Sequence, residues 1–315
     1  MKIGIIGPGA IGCLFAAKLF PAVDEHGEIL LIDHRASRAE RLNRQGIILE
    51  SDGHRKQIHI PVTCEPDNIG QCDIIFSCVK SHDLSKSLEF INPLLSPSTL
   101  FIFLQNGISH LRYDDKNILL AIPAFATSSE GATLLGPGHV RHAGKGQTSL
   151  GFLSPQDPEA GERLQDIADM LQNCGISAIV STNMQTRLWE KLSINVGING
   201  LTAIYGRTNG QLLTSCAARG KLKRLVKEAE QVARGLNIQI KEDPVAATIK
   251  VCKQTARNIS SMLQDIRNQR PTEIDAINGA ISCLGKKVNI PTPLNDDIIR
   301  QVKTMEKQYD EHQKP

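Results

Sequence analysis

A chain of 315 residues predicts two domains, and 41% hydrophobic with 22% charged residues is typical of a globular protein. Its 36 basic and 33 acidic residues are mixed along the sequence, so no basic stripe predicts a nucleic acid partner. No apolar run is long enough to cross a bilayer, no segment resembles a cleavable signal, and the eight cysteines lack metal-ligand spacing. We therefore expect a cytoplasmic protein with mostly reduced core thiols, no metal and no membrane partner.

The first half of the sequence alternates short apolar runs with helical patterns. The strand-like runs are KIGII, EILLI, DIIFSCV, LFIFLQN, NILLAIPA, TSLGFL and SAIVS, and a further helix is expected from Pro158 to Leu171. This alternation predicts an α/β domain of the Rossmann type, a doubly wound parallel sheet with crossover helices, over residues 1–182.

The strand signal fades after Gln185, and glycines and prolines divide the remaining sequence into amphipathic helices. We expect helices at about 186–203, 208–215, 218–236, 244–268, 271–284 and 295–308. The sequence therefore predicts an all-helical C-terminal domain over residues 183–315.

A glycine motif of the form GxGxxG follows the first strand directly, and it consists of Gly7, Pro8, Gly9, Ala10, Ile11 and Gly12. The three glycines permit a tight turn, a close approach of the backbone to a pyrophosphate, and packing of the helix on the strand. Because the next helix begins here, its free N–H groups are expected to bind the phosphates of a dinucleotide.

The choice of dinucleotide stays open at the end of the second strand. Asp33 there would accept hydrogen bonds from ribose hydroxyls, which favours NAD. His34, Arg35 and Arg38 would instead pair with the 2′-phosphate of NADP. Each of these residues can equally be a surface residue that opens a helix.

Two further polar side chains follow predicted strands. Lys80 comes after DIIFSCV, and Asn106 ends LFIFLQN. Ligands bind at the carboxyl ends of strands in such sheets, so both residues are expected to face the cofactor. Simple exposure to solvent is the alternative for Lys80.

A polar stripe marks the first helix of the second half. Lys191, Asn195 and Asn199 are spaced by four residues, and each step of four advances only about 40° around a helix, so all three share one face. The surrounding positions are apolar, which indicates that this face lines a ligand site. A stripe that merely faces water is the alternative.

A second polar group lies further along the sequence. Asn258 and Ser261 are expected one helical turn apart, and Glu273 is expected in the first turn of the helix that follows Pro271. Such a glutamate can also simply complement the helix dipole.

These pieces, taken in order, resemble the ketopantoate reductase (2-dehydropantoate 2-reductase) family over nearly the full length. The matching segments are GPGAIG, SCVKSHD, LQNG, GPGHVRHAGKG, WEKLSINVGINGLTAI, TNG at 208–210 and SSMLQDIRNQRPTEIDAING. The resemblance implies a Rossmann domain followed by a helical domain, with the active site in the cleft. It also implies reduction of ketopantoate to pantoate with NADPH, on the route to pantothenate and coenzyme A.

The resemblance also assigns roles to residues. Lys191 matches the general acid, Glu273 matches the acid near the reacting centre, and Lys80 and Asn106 match residues that line the cofactor site. The positions that match the family's substrate-binding residues are Asn195, Asn199, Asn209, Asn258 and Ser261.

The sequence departs from the family pattern at two places. Gly200 replaces a usual proline, which we expect to loosen the exit of the helix, and the second strand ends in IDHR where many members place an arginine. The second departure keeps NAD open because of Asp33, although the resemblance favours NADP.

The sequence alone leaves three other functions open. It also leaves open whether the protein forms a homodimer. The first is reduction of another branched 2-keto acid. The second is a 3-hydroxyacid or 6-phosphogluconate type dehydrogenase, which would bind phosphate through Arg207, Arg267 or Arg270. The third is a non-catalytic nucleotide sensor, which fold alone does not distinguish from an enzyme.

Overall fold

The computed structural model describes residues 1–22, 27–115 and 119–312. The chain divides into two units. The first contains Met1–Gln105 and His110–Met184, and the second contains Asn106–Ser109 and the chain from Gln185 onward. The sequence did not predict that the short segment Asn106–Ser109 groups with the second unit.

The described residues of the first unit form twelve strands and four α-helices. Its strands are β1 Lys2–Ile6, β2 Glu28–Ile32, β3 Ile47–Ser51, β4 His54–Ile58, β5 Val62–Thr63, β6 Ile74–Ser77, β7 Leu100–Phe103, β8 Ile122–Ser128, β9 Gly131–Gly136, β10 His139–Gly144, β11 Thr148–Gly151 and β12 Ala178–Val180. Its helices are α1 Ala10–Leu19, α2 Ala36–Gln45, α3 Leu84–Ile91 and α4 Pro158–Asn173.

The main sheet has the strand order β12-β11-β8-β7-β6-β1-β2-β5. Six neighbouring strands of this sheet, β8, β7, β6, β1, β2 and β5, are parallel, which confirms the predicted α/β fold. Strand β11 runs antiparallel to β8. All residues of β6 and β7 are buried, as expected for central strands covered on both faces. The predicted strand NILLAIPA starts only at Ile122, and its residues 117 and 118 lie outside the described residues.

A second sheet, of order β4-β3-β10-β9, was missed in the sequence. Strands β3 and β4 form a hairpin whose turn contains Asp52 and Gly53, both with positive φ. An Asp-Gly pair is a known hairpin signal, so this turn could have been predicted. The parallel pairing of β3 with β10 joins segments about ninety residues apart, and no local pattern indicates it.

The second unit contains helices joined by loops, and no strand is found among its described residues. Its helices are α5 Met184–Tyr205, α6 Cys216–Gly235, α7 Pro244–Gln254, α8 Ser261–Arg267, α9 Asn278–Lys287 and α10 Pro293–His312. Among the described residues, no helix has both the length and the apolar character needed to span a bilayer.

All eight cysteines are free thiols, and two of them, Cys216 and Cys283, are exposed rather than in the core.

Three of the predicted helices were wrong in extent. The helix expected at 244–268 is broken over 255–260, because Thr255 ends α7 and Ser260 begins a new helix as its N-cap. The helix expected from 271 begins only at Asn278. Residues 208–215 contain only a short 3₁₀ turn, Gly210–Leu213.

The expectation that Gly200 loosens the exit of the first long helix was also wrong. Helix α5 continues to Tyr205, and Gly200 is buried within it. A Cβ atom at this position would lie 2.3 Å from Cγ2 of Ile298 in α10. The glycine therefore permits close packing of these two helices.

We predict that Gly200→Ala lowers the melting temperature by a few degrees, because overpacking a buried site costs about 1–3 kcal/mol. Differential scanning calorimetry measures the shift. Gly220→Ala in α6 is the matched control, since no atom in the described part of the chain lies within 4 Å of its added Cβ and alanine favours helix. In an Ile298→Ala background, the Gly200→Ala change is expected to cost less; an equal cost would contradict the packing explanation.

Candidate active site

The glycine loop between β1 and α1 forms a cradle for a phosphate group. Gly7 has φ of +87°, and a Cβ on Gly12 would lie 2.1 Å from the carbonyl oxygen of Gly7. Around Gly9 no atom of the described residues lies within 4 Å of an added Cβ, so a ligand can approach the backbone closely. Gly9 is also the N-cap of α1 and provides no side chain to bond the first N–H groups of the helix. The loop thus fits a dinucleotide pyrophosphate.

The other residues of the predicted cofactor motif lie around this loop. Pro8 is buried, and Ala10 and Ile11 are half-buried. Lys80 is half-buried and follows Val79, whose Cγ1 would lie 2.8 Å from a Cβ on Gly7. The turn after β6 therefore packs on the glycine loop and holds Lys80 nearby.

Asp33 at the end of β2 is buried and paired with Arg38. Nε and one terminal nitrogen of Arg38 donate to the two carboxylate oxygens of Asp33, the latter at 2.7 Å from Oδ1. The backbone N–H of Arg35 also donates to Oδ1, at 3.1 Å. His34 and Arg35 are exposed. The acceptors of Asp33 that a ribose would use are thus already bonded to arginine.

A pocket of about 170 Å³ opens beside this ion pair, and its lining includes Gly7, Asp33, His34, Val79, Asp83 and Lys86. Its position between the glycine loop and the end of β2 is where the adenosine half of a dinucleotide binds in this fold. Within the described ranges, no three His, Cys, Asp or Glu side chains cluster in a way that would hold a metal ion.

In the second unit, α5 carries the polar stripe predicted from the sequence. Lys191 and Asn195 are half-buried, and Asn199 is buried with 6% exposed. The ammonium group of Lys191 is surrounded by protein, and this burial lowers its pKa from 10.5 to about 8. The negative charge of Glu273 opposes the shift. Lys191 can therefore lose and regain a proton near neutral pH.

Glu273 lies in the turn before α9, not in the first turn of a helix as predicted. Its backbone oxygen accepts hydrogen bonds from the N–H groups of Ala276 and Ile277, so the turn folds back on itself. The side chain is buried, with 9% of the residue exposed, and Oε2 accepts a hydrogen bond of 2.8 Å from Nδ2 of Asn106. Glu273 is thus bonded to the amide of Asn106, and its charge acts on the ammonium of Lys191.

The segment that carries Asn106 is fixed against this turn. Gly107 has φ of +79°, and a Cβ there would lie 2.0 Å from the carbonyl oxygen of Ala276. The N–H of Ile108 donates to the same oxygen at 3.3 Å. Asn106, which the sequence assigned to the cofactor, is thereby brought to Glu273, a contact that nothing in the sequence indicated.

Asn258 and Ser261 are not one turn apart on a continuous helix, because residues 255–260 form a loop. Asn258 is exposed in this loop, and Ser261 is the exposed first residue of α8. The preceding Ser260 is the N-cap, and it accepts a hydrogen bond of 3.1 Å from the N–H of Leu263.

Ser260 also connects α8 to α5, a link that was missed in the sequence. Its hydroxyl lies 2.6 Å from that of Thr202, which in turn donates to the carbonyl oxygen of Asn199 at 2.9 Å. A serine just before an apolar helix is a known N-cap signal, so Ser260 could have been identified. The contact with Thr202 has no local signal.

Asn209 packs on the same loop. Its N–H donates to the carbonyl oxygen of Asn258 at 3.0 Å, and the N–H of Gly210 donates to that of Ala256 at 3.1 Å. A Cβ on Gly210 would lie 2.6 Å from Cβ of Ala256, so the contact requires glycine. The second unit therefore bonds Asn209 to Asn258, links Asn199 through Thr202 to the N-cap of α8, and bonds Asn106 to Glu273.

Two family models match this chain. The model described as "Ketopantoate reductase PanE/ApbA" matches residues 3–155, and the model described as "Ketopantoate reductase PanE/ApbA C terminal" matches residues 183–306. A relative from Vibrio cholerae, named 2-dehydropantoate 2-reductase, is 28% identical over 313 residues, which is 98% of this chain and 99% of the relative.

Solved structures are also similar over nearly the whole chain. A PanE/ApbA family ketopantoate reductase from Ralstonia eutropha has a TM-score of 0.88 at 27% identity, over 98% of this chain and all of the other. A D-mandelate dehydrogenase in complex with NADH and anilino(oxo)acetate has a TM-score of 0.89 at 30% identity, with the same coverage. With both family models matched in order, this chain belongs to the ketopantoate reductase family.

Proposed function

We propose that this chain reduces ketopantoate to pantoate with NADPH, residues 1–182 binding the cofactor and residues 183–315 the substrate. The observation that carries the proposal is that burial lowers the pKa of Lys191 to about 8, while the charge of Glu273, which is bonded to Asn106, acts on this lysine. A general acid works best when its pKa is close to the pH of the reaction. Family membership supports the same reaction.

Reduction of a ketone requires a hydride on carbon and a proton on oxygen. The reduced nicotinamide, when bound, supplies the hydride. Lys191 Nζ donates its proton to the carbonyl oxygen, becomes a neutral amine, and is protonated again from solvent. Glu273 favours the charged form of Lys191 before transfer, and Asn106 holds the Glu273 carboxylate in place.

The remaining polar side chains bind and orient the substrate. We assign this role to Asn195, Asn199, Asn209, Asn258 and Ser261, whose amide and hydroxyl groups match the carboxylate, carbonyl and hydroxyl groups of a hydroxylated 2-keto acid. By positioning the substrate, they make the hydride transfer effectively unimolecular and so lower its activation barrier. The links through Ser260 and Thr202 support this role because they fix the loop to α5.

NADPH is the proposed cofactor because the charge of Asp33 is compensated. Arg38 occupies both carboxylate oxygens, so Asp33 is a poor acceptor for ribose hydroxyls. The pocket lining carries His34 and Lys86 beside the carboxylates Asp33 and Asp83, and Arg38 adds a guanidinium through its ion pair with Asp33. A 2′-phosphate would be bound by Nη1 of Arg38, the guanidinium nitrogen that does not bond to Asp33.

We predict that Arg38→Ala weakens NADPH binding by about tenfold or more, because one charge-assisted contact is lost. NADH binding is expected to stay equal or to improve, since Asp33 becomes available to the ribose. Titration of cofactor fluorescence with each nucleotide measures both dissociation constants without turnover. Arg41→Ala, an exposed arginine on the same helix, is the control. Unchanged NADPH binding in Arg38→Ala would refute the assignment.

The proposed reaction is tested by the loss of nicotinamide absorbance when purified protein receives ketopantoate. We expect rapid oxidation of NADPH and slower oxidation of NADH. Product analysis should identify pantoate. No oxidation with either cofactor would overturn the proposal.

A second candidate is reduction of another branched or aryl 2-keto acid. It is favoured by the similarity to a D-mandelate dehydrogenase solved with NADH, at 30% identity. The same assay with phenylglyoxylate distinguishes the two, because the better substrate is the one with the higher kcat/KM. Preference for phenylglyoxylate with NADH would support the second candidate.

A further inference from the structure

The side-chain amide of Asn209 has one bonded and one unbonded end. Asn209 is 8% exposed, and its Nδ2 donates to Oγ1 of Thr255 at 2.9 Å. Its Oδ1 is buried and has no hydrogen-bond partner among the described residues. A buried carbonyl oxygen without a partner is unfavourable unless a ligand provides a donor.

The hydrogen bonds of Thr255 determine which end of the Asn209 amide faces it and which end points away. The Thr255 hydroxyl donates its single proton to the carbonyl oxygen of Val251, at 2.7 Å. Its oxygen is therefore left to accept, and only the NH₂ end of Asn209 can face it. The two ends of an amide are hard to tell apart by shape, but here the hydrogen bonds assign them.

The backbone keeps Asn209 in this position. The N–H groups of Asn209 and Gly210 are bonded to the carbonyl oxygens of Asn258 and Ala256, and the N–H of Asn258 is bonded to the carbonyl oxygen of Thr255. Because both segments are joined at several points, the amide cannot turn over without losing its bond to Thr255. Oδ1 is thus a fixed acceptor beside Asn258, a second candidate substrate residue.

A fixed acceptor selects for a donor. Carboxylate and ketone oxygens only accept hydrogen bonds, so among the polar groups of ketopantoate only the C4 hydroxyl can donate to Asn209 Oδ1. We infer that Thr255 is a positioning residue that orients Asn209 and so makes the enzyme prefer 2-keto acids with a hydroxyl group. This inference rests on the proposed function.

The test compares ketopantoate with 3,3-dimethyl-2-oxobutanoate, which differs only in lacking the hydroxyl. Wild-type enzyme is expected to prefer ketopantoate by at least about a hundredfold in kcat/KM, since a site built for a hydroxyl rejects the analogue that lacks it. Thr255→Val keeps the shape and removes the acceptor, and we expect the preference to fall at least about tenfold. The loss of kcat/KM should be confined to ketopantoate, and Thr255→Ser should retain the wild-type preference.

Thr304→Val is the matched control, because Thr304 makes the same bond to the carbonyl oxygen four residues before it, that of Arg300, at 2.9 Å. A Thr255→Val variant that loses activity equally on both substrates, or that keeps the wild-type preference, would overturn the inference. Calorimetric titration with pantoate and with its deoxy analogue measures the same preference without turnover. If wild-type protein fails to reduce ketopantoate, the proposed function falls, while the titration still supports or refutes the role of Thr255.

Discussion

Lys191→Met is expected to lower kcat for ketopantoate about a thousandfold, the usual contribution of a general acid together with its charge. Methionine keeps the apolar stem and removes the proton donor. The substitution should not destabilise the fold. Since burial places the pKa of Lys191 near 8, below its ordinary 10.5, the charged lysine costs stability below pH 8, and this cost fades as the pH rises towards 10.5.

Three measurements make this prediction specific. NADPH binding by the variant should equal that of wild type, and its melting temperature at pH 7 should be at least as high. Lys227→Met, an exposed lysine on α6, should leave kcat unchanged. A Lys191→Met variant that retains more than about a tenth of the activity would exclude Lys191 as the general acid.

Most of the Rossmann-type unit was predictable because its signals are local. The strands β1, β2, β6 and β7 are continuous apolar runs, and the glycine motif follows the first of them directly. The four-stranded sheet was missed because β4 exposes four of its five residues and reads as a polar segment. Its central pairing, of β3 with β10, depends on contacts that no window of sequence contains.

The candidate site likewise has one part that local sequence patterns predict and one part that depends on distant contacts. The stripe of Lys191, Asn195 and Asn199 follows from helix periodicity alone. The hydrogen bond between Asn106 and Glu273 joins residues 167 positions apart. It depends on Gly107, which lets the backbone approach Ala276. Local sequence patterns indicate each of these residues separately, but no local pattern indicates the contact between them.

The errors at 255–260 and 271–277 share a physical cause. Amphipathic periodicity continues through both segments, but local hydrogen bonds stop the helices. Ser260 caps α8 from outside, and the N–H groups of Ala276 and Ile277 bond to Glu273. Both breaks occur at candidate site residues, which suits groups that must face a ligand instead of a neighbouring helix.

The wild-type enzyme should lose kcat/KM above about pH 8, by about tenfold per unit, as Lys191 loses its proton. Glu273→Gln is expected to lower kcat/KM at neutral pH by about a hundredfold. It should also move the descending limb to lower pH by about one unit, because the carboxylate that raises the pKa of Lys191 is gone. A pH profile of kcat/KM with saturating NADPH measures both changes.

Glutamine can still accept the hydrogen bond from Asn106, so the Glu273→Gln change removes charge and leaves the local packing intact. Glu190→Gln is the control, since Glu190 lies next to Lys191 in sequence but pairs with Arg187 at 3.4 Å. It should leave the limb unmoved. A loss of activity in Glu273→Gln without a shift of the limb would mean that Glu273 acts on the substrate or the cofactor and not on the proton of Lys191. A shift to lower pH together with the loss would establish that the two residues work as one acid.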